Sequence, residues 1–108
     1  MNKVYIIGRI ARDLELKSFG DENRAYIQFP LAVNEYNSST KEQKCSFIDI
    51  VAFDRKAELI NEFFRKGKQI SIEGHLKNDS YINKNNQKVY NTSVILDNFD
   101  FIGKKTDA

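Results

Sequence analysis

Apolar and polar residues alternate with a period of two over most of this chain. Val4, Ile6 and Gly8 alternate with Tyr5, Ile7 and Arg9, which predicts a strand over about Asn2 to Ile10. A second run, Arg24 to Asn34, sets Ile27, Phe29, Leu31 and Val33 on one face and Tyr26, Gln28, Pro30 and Ala32 on the other. Pro30 cannot donate to a ladder, so this strand is expected to be bulged or at an edge there. A third strand is predicted over Ser46 to Phe53. The stretch Ala11 to Asn23 is polar and turn-like apart from Leu14 and Leu16, and Glu35 to Lys44 reads as a mobile loop.

The period changes once. Leu59, Ile60, Phe63 and Phe64 form one stripe, which predicts a helix over Arg55 to Lys66. Asp54 stands at the N-cap position, Gly67 at the left-handed C-terminal position, and Arg65 and Lys66 in the last turn. Gln69 to Lys77 then reads as a fourth strand with Ile70, Ile72, Gly74 and Leu76 inward, Asn83 to Gln87 as a hairpin tip, and Lys88 to Leu96 as a fifth strand. The layout is all-β, with five strands and one helix between the third and fourth. That is the order of an OB-fold, a small Greek-key barrel whose strand face and loops bind oligonucleotides or oligosaccharides. The domain is expected over residues 1–102, with 103–108 as a short polar tail.

Composition narrows the class. At 108 residues, with 41% hydrophobic and 30% charged residues, the chain fits one globular domain. Its longest apolar runs, such as Val4 to Ile7, are far short of a membrane span, and no signal peptide opens it. Cys45 is alone, which excludes an internal disulfide and a Cys-rich zinc site and suits a reducing cytoplasm. His75 is the single histidine, and no P-loop, nucleophile elbow or dinucleotide fingerprint occurs. An exposed strand histidine and a loop thiol are the simpler reading of His75 and Cys45. No catalytic residue, cofactor or metal is expected.

The third strand carries the chemistry. Ile48, Ile50 and Ala52 share one parity, and Phe47, Asp49, Val51 and Phe53 share the other. An unpaired buried carboxylate is expensive, so Asp49 assigns its own parity to the outside. Phe47 and Phe53 then face outward about 20 Å apart, at ~3.3 Å per residue. Another subunit, the helix, a sugar or stacked bases could cover them. Sugar sites favour Trp, which is absent. Stacking on bases is worth ~1–3 kcal/mol per base and tolerates any sequence. Between residues 55 and 90, Arg55, Lys56, Arg65, Lys66, Lys68, Lys77, Lys84 and Lys88 outnumber Glu58, Glu62, Glu73 and Asp79. That excess beside an aromatic face suits a phosphate backbone.

The blocks MNKVYIIGRIARDLEL at the start, FPLAVN at Phe29 to Asn34, FIDIVAF at Phe47 to Phe53, AELINEFFRKG at Ala57 to Gly67, IEGHL at Ile72 to Leu76 and KVYNTSV at Lys88 to Val94 have a family's order and spacing. They resemble the bacterial single-stranded DNA-binding proteins of the OB-fold, homotetramer-forming type. The resemblance implies sequence-independent single-strand binding in replication, recombination and repair, in a cytoplasmic, nucleoid-associated setting. Carried over residue by residue, it implies stacking by Tyr36, Phe47, Phe53 and Tyr81, and phosphate contacts from Lys3, Arg9, Arg55, Lys66 and Lys77. Tyr36 matches its position only to within one residue.

Several departures from the family stand out. Phe and Tyr replace frequent Trp, and Asp49 and Asp79 stand where many relatives have a basic or neutral residue, which should reduce affinity or shift the strand's path. The usual Asp-Pro-Glu turn reads Asp13-Leu14-Glu15. Family members usually continue through a Gly/Pro/Gln-rich linker to an acidic tip that recruits replication enzymes. Gly103 to Ala108 supplies no such tip, so recruitment is not expected of this sequence. A dimeric accessory protein of a primosome or mobile element, working beside a helicase or a primary binding protein, is the alternative. A protein-interaction OB domain is the other.

Overall fold

The computed structural model describes residues 1–103. Its elements run β1 (Val4–Ile10), β2 (Lys17–Phe19), β3 (Arg24–Asn37), β4 (Glu42–Phe53), α1 (Asp54–Phe63), β5 (Gln69–Ile82) and β6 (Lys88–Phe101). The strands are ordered β1-β5-β6-β4-β3-β2, and β1 also pairs with β3 through Arg9–Ala32 and Ile10–Leu31. That last pairing closes five long strands into a barrel. All neighbours are antiparallel except β4 and β6, which run parallel at Ile50–Val94 and Val51–Ile95. The architecture is the expected OB-fold, with one addition. Lys17–Phe19, inside the stretch read as turn, pairs with Arg24–Tyr26 as a short sixth strand, so the helix follows the fourth strand.

The inward parity expected for the second and third predicted strands is the buried one. Ile27, Phe29, Leu31, Ile50 and Ala52 are fully enclosed, together with Ile10, Ile70, Ile72 and Val94. Helix α1 closes one end of the barrel with Ala57 and Ile60. Pro30 sits in an unbroken register against Asp49, so the strand is not bulged there. Its carbonyl accepts from Ala11 N–H on the side away from β4, which puts its missing donor at a local edge between the β1 and β2 pairings.

The helix is shorter than its apolar stripe suggests. It ends at Phe63, because Phe64 leaves helical geometry and stacks its buried ring on Phe101, centroids 4.9 Å apart. Arg65 and Lys66 therefore lie beyond the last turn. Gly67 adopts φ +91° in the turn after it and donates to Ile10 O at 2.7 Å. Asp54 does not cap the helix; Phe53 is the N-cap residue and makes no side-chain bond.

Two hairpins outgrow the barrel. Asn34–Asn37 pairs with Glu42–Cys45, so most of the segment read as a loop is ladder, leaving a tip over residues 38–41. Lys77–Ile82 pairs with Lys88–Ser93 as a second arm. Leu76, expected inward, is 49% exposed because it stands where this arm leaves the barrel. Since β4 and β6 are parallel and each begins at a hairpin tip, both arms project from the same end of the barrel, opposite α1.

Candidate nucleic-acid interface

Directly opposed residues of neighbouring strands point to the same face of a sheet. On β4 and β3 the outward pairs are Phe53–Tyr26, Val51–Gln28, Asp49–Pro30, Phe47–Ala32, Cys45–Asn34 and Gln43–Tyr36. Tyr36 thus shares the face of Phe47 and Phe53. The parallel pair Val51–Ile95 carries the face onto β6, and Ile95–His75, Ser93–Lys77, Asn91–Asp79 and Val89–Tyr81 carry it out along the second arm. Tyr81 joins the same continuous face. Tyr36, Phe47 and Tyr81 are 64%, 65% and 57% exposed. Phe53 is half-buried.

Phe53 is half-buried for a reason absent from its own strand. Phe19 of β2 packs edge-on against it at 5.7 Å and against Tyr26 at 5.5 Å, while the Arg24 guanidinium lies 5.3 Å from the Phe19 ring centre. Phe19, Tyr26 and Arg24 are not singled out as site residues from the sequence. Phe19 lies in a polar stretch without periodicity, and only the β2–β3 pairing brings it to the face. A further exposed aromatic, Tyr90, sits on the reverse of the second arm with Lys88 Nζ 5.4 Å from its ring centre.

The expected cations are spread unevenly. Arg9 lies opposite Ala32, on the aromatic face, with its guanidinium donating to Gly67 O at 3.0 Å. Lys77 stands between Phe53 and Tyr81 by register. Lys66 adjoins Gly67 and so lies near Arg9. Arg55 is on α1, two residues beyond Phe53, paired with Glu58 at 3.5 Å. Lys3 lies by the root of the second arm and is paired with Glu73 at 3.8 Å, because Asn2 bonds Leu76 through both its side-chain atoms. Arg12, not singled out from sequence, donates to Gln28 O at 2.7 Å beside the face. Asp49 accepts from Gln28 Nε2 at 2.7 Å.

His75 and Cys45 are set apart, on different hairpins. His75 Nδ1 meets Asp97 at 3.0 Å, where a register shift at Glu73/Gly74 leaves Asp97 the odd residue of β6, while Cys45 is exposed on the other arm. Among the described residues, no group of three or more His, Cys, Asp or Glu is placed to hold a metal, and no helix is long and apolar enough to cross a membrane.

A closed five-stranded OB barrel, with rings and cations laid along one face and two projecting arms, defines the class of oligonucleotide-binding OB-fold proteins. Within that class, the chain belongs to the Single-strand binding protein family, whose pattern matches residues 1–102. It is similar to a single-stranded DNA-binding protein of Fusobacterium nucleatum, 39% identical over all of this chain and 71% of that protein. It is also similar to proteins of that description from Clostridium perfringens, 35% identical over 94% of this chain and 66% of the relative, and from Staphylococcus aureus, 34% identical over 97% and 67%. The chain spans about two thirds of the length of these relatives.

Proposed function

We propose that this chain binds single-stranded DNA by stacking bases on Tyr36, Phe47, Phe53 and Tyr81 while Lys and Arg side chains contact phosphate. The observation that carries this reading is the common face of the four rings, two from strands in the barrel wall and two from arms projecting at one end. Exposed rings are costly in water and gain ~1–3 kcal/mol for each base that covers them. Duplex DNA offers no such faces, because its bases are already stacked. The protein acts as a non-catalytic protector of single strands in replication, recombination and repair, wherever strands are opened in a bacterial cytoplasm.

Tyr5 and Ile7 support self-association. Both are exposed on the outer side of β1, where a second chain would cover them. A homotetramer predicts a solution mass four times that of the 12.5 kDa chain, and a dimer twice it. Light scattering after gel filtration separates the two.

The test of binding is a titration of tyrosine fluorescence with oligo(dT). Saturable quenching that weakens with salt supports the reading; no quenching, or equal binding of duplex, overturns it.

A further inference from the structure

The centre of the aromatic face carries a charge of the wrong sign for a polyanion. Asp49 lies two residues from Phe47 and four from Phe53, on their side of β4. Its cross-strand neighbour is Pro30, whose side chain has no donor. Gln28 Nε2 holds Oδ2 at 2.7 Å, and among the described residues no hydrogen bond reaches Oδ1 and no cation forms an ion pair with it. The Gln28 amide has spent a donor on Asp49, and its oxygen is another acceptor. A half-buried spot between two stacking rings therefore presents unmet acceptors.

A phosphate is repelled from such a spot, so the sugar–phosphate chain has to run toward the flanking cations and leave the base edges over Asp49. The edges differ in what they offer. Cytosine and adenine each present an exocyclic amino group, and guanine presents an amino group beside a ring N–H. A carboxylate accepts from all three. Thymine and uracil present a single ring N–H between two carbonyl oxygens, whose lone pairs face the carboxylate. A base stacked on Phe47 has its edge near a side chain two residues along the same face, about 7 Å away at ~3.3 Å per residue.

We propose that Asp49 is a specificity-determining residue that accepts a hydrogen bond from the exocyclic amino group of a base stacked beside it, so that this face favours amino-bearing bases over thymine and uracil. The inference rests on the single-strand reading above. Stacking still carries most of the affinity and tolerates any base; Asp49 adds a bias.

Oligo(dC) and oligo(dU) of equal length test it, because they differ at the base edge without the thymine methyl group. Both are titrated at neutral pH against the full chain and against Asp49→Ala and Asp49→Asn, each checked by circular dichroism for an unchanged fold. In the unsubstituted protein the preference for oligo(dC) over oligo(dU) should exceed that of Asp49→Ala by about threefold to tenfold, the range of one net hydrogen bond. Asp49→Asn should move the ratio further toward oligo(dU), since the new amide can donate to the uracil carbonyl. Equal ratios in all three proteins overturn the assignment of Asp49 and leave single-strand binding standing. If neither strand binds the unsubstituted protein, the single-strand reading fails and this inference falls with it.

Discussion

Arg24 holds Asp54 through two hydrogen bonds, Nε to Oδ1 at 3.1 Å and Nη2 to Oδ2 at 2.7 Å, joining β3 to the first residue of the helix. Asp54 takes φ +56°, in the left-handed region that few non-glycine residues adopt, so the pair fastens a strained strand-to-helix junction. The hydrogen bonds from Arg24 hold the Asp54 carboxyl below its ordinary value of 3.8; desolvation opposes this and the guanidinium charge adds to it. The folded state therefore binds this proton less readily than the unfolded chain. The stabilisation is present above 3.8 and is lost as pH falls through the lower folded value. Arg24→Gln should melt below the unsubstituted protein near neutral pH, and the gap should close in acid. A gap that persists in acid would assign the effect to Arg24 packing on Phe19.

The two faces of β4 should fail differently. Phe47→Ala removes an exposed ring and should cost ~1–3 kcal/mol of oligonucleotide binding with little change in melting temperature. Ile50→Ala opens the core and should cost about 2–5 kcal/mol of stability. Phe53→Ala should do some of both, because Phe19 packs on that ring. Thermal melts and titrations on the three variants check this, and a stable Ile50→Ala variant with impaired binding would reverse the parity.

Binding should weaken with salt, log K falling against log[salt] with a slope of about −0.7 for each phosphate contacted. The formal net charge of +2 limits the cations available, so the slope should be shallow. Lys77→Ala should flatten it by roughly one contact, whereas Lys3→Ala should change it less, since Lys3 already faces Glu73. Titrations at several salt concentrations measure both.

Gly8 marks the seam where β1 meets β3 to close the barrel. A Cβ there would lie 2.5 Å from Ala32 O and 2.9 Å from Leu31 Cγ, and backbone on a closed ladder cannot yield cheaply. Gly8→Ala should destabilise by ~1–3 kcal/mol, the usual cost of overpacking. Chemical denaturation measures it.

Much of this fold is legible along the chain because burying one face of a strand writes a period of two into it. Ile27, Phe29 and Leu31 announce an inner face, and a single carboxylate, Asp49, is enough to turn Phe47 and Phe53 outward. Where that contrast vanishes, so does the signal. Residues 35–44 and the outer part of the second arm are wet on both faces, so their ladders leave no alternation, and β2 is too short to show one. The helix end was hidden for another reason: Phe64 fits the helical stripe, but the ring of Phe101, distant in sequence, draws it out.

The candidate site divides along the same line. The identity of the rings, the sign of the charges and the outward parity of β4 are properties of residues and their immediate neighbours, and they stand in the sequence. That Tyr36 and Tyr81 share a face with Phe47, that Phe19 shields Phe53, and that Arg24 rather than the helix claims Asp54 all depend on pairing between strands far apart in the chain. Register across such distances is decided when the barrel closes, because only there do the inner residues of every strand bury one another at once.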